Sequence, residues 1–158
     1  MKFLFIVQGE GRGHFTQAIT LEDMLLRNGH QVVEVLVGKS SSRTLPGFFN
    51  RSIQAPVKRF TSPNFLPTAE NKRADLKKSF AYNLIHVPEY FRSMCYINQR
   101  IKETGAEVVI NFYELLTGLT YALFRPSVPY ICIGHQYLFL HREFEFPKKS
   151  PVQLFLLR

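Results

Sequence analysis

Met1-Lys2-Phe3-Leu4-Phe5-Ile6-Val7-Gln8-Gly9-Glu10-Gly11-Arg12-Gly13-His14-Phe15-Thr16-Gln17-Ala18 decides the fold. Phe3 to Val7 is a continuous apolar run of the length of a strand buried on both faces. Three glycines follow within five residues. Phe15, Ala18, Leu21 and Leu25 then recur at helical spacing, until Gly29 stops the helix. Gln31 to Val37 reads as a second buried strand ending at Gly38. Strand, glycine-rich turn, helix and strand within about forty residues is the opening of a doubly wound sheet.

Downstream, the pattern predicts a short strand over 57–60 and a long irregular connection elsewhere between Lys39 and Asn71. Residues 72–104 carry helical periodicity, with Pro88 expected to kink or split the stretch and Gly105 to close it. Glu107 to Phe112 and Tyr130 to Gly134 read as further strands, separated by a helix over about 116–124 that stops before Pro126. The fold class is α/β: a doubly wound, mainly parallel, Rossmann-like sheet, with strand order 3-2-1-4-5 or similar. Residues 1–146 form this domain. Ser150-Pro151 resembles a helix start, and Val152 to Leu157 begins an apolar helix that stops after two turns. Residues 147–158 are therefore read as a truncated helix leading to a further domain.

At 158 residues, 46% apolar, the chain has enough length for a core without disulfides or structural metal. Two cysteines, Cys95 and Cys132, make neither a disulfide framework nor a CxxC pair. No run approaches 18 apolar residues, and the first apolar run is too short for a secretion signal, so a cytoplasmic protein is expected. The net charge of +8 is concentrated in residues 39–100, where eleven Lys and Arg face three acids. Such a patch suits an anionic membrane surface, a phosphorylated lipid or sugar, or nucleic acid, or else is a solvated helix face. No helix-turn-helix, zinc or RNA-recognition signature is present, so specific nucleic-acid binding ranks last.

The glycine turn admits three readings from its residues. Gly9 and Gly11 fit the first two positions of a dinucleotide fingerprint, but His14 stands at the third and no acidic residue ends the second strand. Lys39, Ser40 to Ser42 and Arg43 would instead suit the 2′-phosphate of NADP, which keeps an NADP-binding oxidoreductase or sensor as the alternative. No GK[ST] follows, which excludes a P-loop. A structural glycine turn is the third.

The run Gly11-Arg12-Gly13-His14, followed by Ala18, resembles the opening of GT-B glycosyltransferase N-terminal domains, most closely the branch of the lipid II-forming peptidoglycan enzyme. Val108 to Phe112 leading through Tyr113-Glu114 to Thr117-Gly118, and Pro129 to Gln136, add further points of similarity over residues 1 to about 137. Glu10 and Arg12 within the turn depart from that branch. The resemblance implies the acceptor-binding half of an enzyme that moves a sugar from a nucleotide-sugar donor to an acceptor hydroxyl. His14 is then the candidate base, at a turn expected to face an open crevice, with Glu114 as the carboxylate that orients or replaces it. Gly11, Arg12, Gly13, Asn111, His135 and Gln136 are the candidate acceptor-binding residues. No cofactor is implied, since the donor is a substrate held mainly by another domain, and this chain alone is expected to be silent. A metal held by His14, Glu114 and His135 has no supporting ligand spacing. Lys72, Arg73, Lys77 and Lys78, upstream of Ser79 to Val87, would suit contact with an anionic bilayer carrying a lipid-linked acceptor; the other reading buries Phe80 and Leu84 on the sheet.

Overall fold

A computed structural model of the chain describes residues 1–39, 44–63, 76–134 and 141–143. Five strands and five helices follow one another: β1 (Lys2–Gln8), α1 (Arg12–Arg27), β2 (Gln31–Lys39), α2 (Gly47–Ser52), β3 (Val57–Thr61), α3 (Leu76–Ile85), α4 (Val87–Glu103), β4 (Val108–Phe112), α5 (Leu115–Phe124) and β5 (Tyr130–Cys132). All strands pair in parallel, in the order β3-β2-β1-β4-β5. The expected class and order are both observed.

The apolar run of β1 is continuous because this central strand feeds two cores. Phe3, Phe5 and Val7 point into a layer filled by Phe15 and Ala18 of α1 and Phe49 of α2. Leu4 and Ile6 point into the opposite layer, against Tyr90, Ile97 and Ile101 of α4 and Leu116 of α5. The turn α2 falls in the stretch expected to be irregular. Its six residues are too few for periodicity to show, and it is held by Phe49, whose ring packs 4.6 Å from that of Phe15.

Pro88 splits the long helical stretch as expected. His86 is the N-cap of α4 and Pro88 sits in its first turn, where a missing N–H leaves no helical acceptor unfilled. Glu34, in the middle of β2, is buried against α4. Its carboxylate takes a bidentate pair from Arg100, at 2.8 and 3.0 Å, and Lys58 adds a contact at 2.9 Å. Burial pushes this carboxyl up, but the Arg100 and Lys58 hydrogen bonds and charges outweigh it and hold it below the usual glutamate value. Glu22 of α1 is likewise buried, accepting the backbone N–H groups of Gln54 (2.9 Å) and Ala55 (2.8 Å) ahead of β3.

Candidate functional site at the carboxyl edge of the sheet

In this strand order the chain leaves β1 toward β2 on one side and the sheet grows through β4 on the other. The turns after β1 and β4 therefore flank a crevice at the carboxyl ends of the strands, where doubly wound folds place ligands. The glycines of the first turn do different work. The Gly9 N–H donates to Gly38 O at 2.7 Å, and a Cβ on Gly9 would lie 2.5 Å from that oxygen, so this glycine is required by the approach of β2. Gly11 is the N-cap of α1 and offers no side chain to the first helical N–H groups. Gly13 lies inside the first turn, where glycine costs about 1 kcal/mol relative to alanine, yet a Cβ there would meet nothing within 4 Å. Open space beside the N-terminus of α1, with Arg12 exposed next to it, suits an oxyanion.

His14 is the third residue of α1. Its ring lies 6.0 Å from that of Tyr113 with 15° between the planes, and only 8% of the residue is exposed. The imidazole thus stands at the expected edge, but it is covered by Tyr113 instead of open to the crevice. Tyr113 is held in the left-handed backbone region, at φ 59, a conformation that a bulky side chain adopts only when its surroundings impose it. The imposing group is Asn111. Its Oδ1 accepts the Glu114 N–H at 2.8 Å and its Nδ2 donates to Glu114 O at 3.1 Å, closing the chain around Tyr113. Asn111, a candidate acceptor-binding residue, has its amide bonded to this turn and is buried.

Glu114 caps α5. Oε1 accepts from Ser62 Oγ (2.6 Å) and from the Leu116 N–H (3.3 Å). Its other oxygen rests against Gly38, where a Cβ would collide with Oε2 and lie 2.7 Å from Cδ and 2.9 Å from Phe60 Cζ. The residue is 2% exposed, and burial pushes its carboxyl up to about 7; Ser62 and Leu116 pull the other way, and the neighbouring Glu10 adds to the rise. No hydrogen bond joins Glu114 to His14 among the described interactions; the two meet through Tyr113. Gly38, Ser62 and Tyr113 were not singled out by sequence. Gly38, an isolated glycine in a buried strand, is the one that left a signal.

His135, Gln136, Arg43 and the three serines before it lie outside the described residues, as do residues 147–158. Among the described residues no three of His, Cys, Asp and Glu come together as a metal site would need, and no helix is long and apolar enough to cross a membrane.

No family model matches the chain, and no curated protein matches it. Solved structures do. The class that the parallel order β3-β2-β1-β4-β5 defines is α/β and Rossmann-like, and two solved structures are similar to it. The glycotransferase of kitacinnamycin is 16% identical over 83% of this chain, with a TM-score of 0.50. MurG of Acinetobacter baumannii is 16% identical over 84%, with a TM-score of 0.47. The chain spans only 29% and 34% of those two structures, respectively. At this identity the likeness describes the fold.

Proposed function

We propose that this chain is the acceptor-binding half of a glycosyltransferase, working with a second domain that holds the nucleotide-sugar donor. The observation that carries the reading is the stacking of His14 on Tyr113, which joins the turns after β1 and β4 at the switch point of the sheet. In transfer to a hydroxyl, the acceptor oxygen forms the new bond to the anomeric carbon, the bond to the nucleotide diphosphate breaks, and the hydroxyl proton goes to a base. His14 is that base: a neutral imidazole can accept the hydroxyl proton, and its place in the first turn of α1 sets it beside the helix terminus that receives an oxyanion. Glu114 acts as a positioning residue, fixing the turn that lays Tyr113 over the imidazole. Tyr113 must shift for a hydroxyl to reach the ring, which makes it the contact that senses acceptor.

The acceptor is a sugar or lipid-linked hydroxyl at a cytoplasmic membrane face. Phe80, Leu84 and Ile85 of α3 and Phe91 of α4 are exposed, Phe80 to 71%, and Lys77 and Lys78 stand next to them. The expected alternative, with Phe80 and Leu84 packed on the sheet, does not fit this exposure. Apolar side chains among lysines suit the boundary of an anionic bilayer.

Calorimetric titration tests the reading. The chain should bind a short-chain lipid-linked sugar, with affinity lost in His14→Ala, and bind neither NADPH nor a UDP-sugar comparably. Binding of NADPH alone would replace this reading with the NADP one, which rests on Lys39 at the end of β2.

A further inference from the structure

A second cavity, of about 400 Å³, lies away from the glycine turn, between the outer edge of β3 and the first half of α4. Its character follows from the ladder. Pro56 O accepts from the Val35 N–H and the Ser62 N–H donates to Lys39 O, so the even-numbered residues of β3 bond to β2. The N–H and C=O groups of Arg59 and Thr61 then point outward, to the cavity side. One of the acceptors is already used, because Ser93 Oγ donates to Thr61 O at 2.8 Å. The N–H groups of Arg59 and Thr61 remain, with Arg92 and Tyr96 of α4 in the same wall.

β3 and α4 carry five cations, Lys58, Arg59, Arg92, Arg100 and Lys102. Lys58 and Arg100 pair with Glu34, and Arg100 also with Glu103, whereas Arg92, in the cavity wall, pairs with no described carboxylate. Glu89 is the one acid in that wall. The excess of donors over acceptors selects an anion, and guanidinium with strand N–H groups matches the several oxygens of a phosphate. The volume falls in the range of small-molecule sites, large enough for a phosphate ester with its organic part.

We infer that the cavity between β3 and α4 binds a phosphate monoester, held by Arg92 and the outward backbone N–H groups of Arg59 and Thr61. The inference does not depend on sugar transfer. The ester is either a soluble phosphorylated molecule or the headgroup of a phospholipid, and the same site reads both.

The test uses the isotope-labelled chain. Backbone amide resonances of Arg59, Thr61 and Ser93 are followed as sn-glycerol 3-phosphate is added, and co-sedimentation of the Phe80→Ser, Leu84→Ser chain, which lacks the apolar contact of α3, is measured with phosphatidylcholine vesicles with and without phosphatidic acid. Saturable shifts at those amides establish the soluble source; sedimentation specific to phosphatidic acid establishes the lipid source. In either case Arg92→Ala, a change at an exposed side chain, should weaken binding about tenfold or more. Glu89→Gln should strengthen it about two- to fivefold by removing the opposing charge. Neither ligand binding, binding unchanged in Arg92→Ala, or equal sedimentation with phosphatidylglycerol regardless of Arg92 would each overturn the assignment. His14→Ala should leave this binding intact, so its failure and that of the acceptor reading are told apart.

Discussion

Replacing Glu114 by glutamine should stabilise the protein in alkaline solution and leave it unchanged in acid. The carboxyl is buried beneath α5 and its proton is retained to about 7, against 4.5 for the ordinary group. Because the folded state holds this proton more tightly than the unfolded chain, stability is full below about pH 4.5 and is lost as pH rises toward 7. The difference corresponds to an upper bound of about 3 kcal/mol of stability lost at pH 8. Glutamine keeps an acceptor for Ser62 Oγ and the Leu116 N–H and never ionises. At about 2–4 °C per kcal/mol for a chain of this size, Glu114→Gln should melt up to about 6–12 °C above the parent at pH 8. At pH 4.5 the two should coincide. Thermal melts followed by circular dichroism from pH 4.5 to 8.5 measure the difference curve, in which groups common to both proteins cancel. Parallel profiles, with no divergence near neutrality, would refute the argument that burial governs this carboxyl.

Other perturbations probe the same framework. Gly38→Ala should cost about 1–3 kcal/mol by pressing on the Glu114 carboxylate, and a double-mutant cycle with Glu114→Ala should recover part of that loss; strictly additive melting shifts would show that the two do not touch. Glu22→Ala leaves the Gln54 and Ala55 N–H groups without their acceptor and should cost about 2–4 kcal/mol in chemical denaturation. Arg100→Ala should cost about 1–3 kcal/mol at pH 7 by leaving the buried Glu34 with Lys58 as its one cationic partner. Since Glu34 is held below its usual value, this stabilisation is present above about pH 4.5 and is lost as pH falls through the lowered folded value, opposite in sign to Glu114. Phosphatidylglycerol vesicles should retain the protein at low salt and release it as salt is raised, and Phe80→Ser with Leu84→Ser should abolish that retention.

The fold was legible where burial leaves a pattern in composition. β1 declares itself as an unbroken apolar run, and β2 as one interrupted by Glu34, because both sheet faces are covered, and α1 by the spacing of Phe15, Ala18, Leu21 and Leu25. α2 was not, because six residues anchored by one phenylalanine carry no period. The site was legible in position and only partly in arrangement. His14 and Glu114 could be placed at the strand ends by their distance from β1 and β4. That Tyr113 would adopt a left-handed backbone and cover His14 is invisible in sequence, since the Asn111 side chain that enforces it acts through two hydrogen bonds unrelated to residue spacing.

The account rests on an acceptor hydroxyl displacing Tyr113 to meet His14. The imidazole resonances of His14, recorded as a short-chain lipid-linked sugar is titrated in, test this directly. The account predicts a saturable shift of those resonances at lower acceptor concentration in Tyr113→Ala, which uncovers the ring. Resonances that stay fixed while the sugar binds elsewhere, or move only with NADPH, would contradict it.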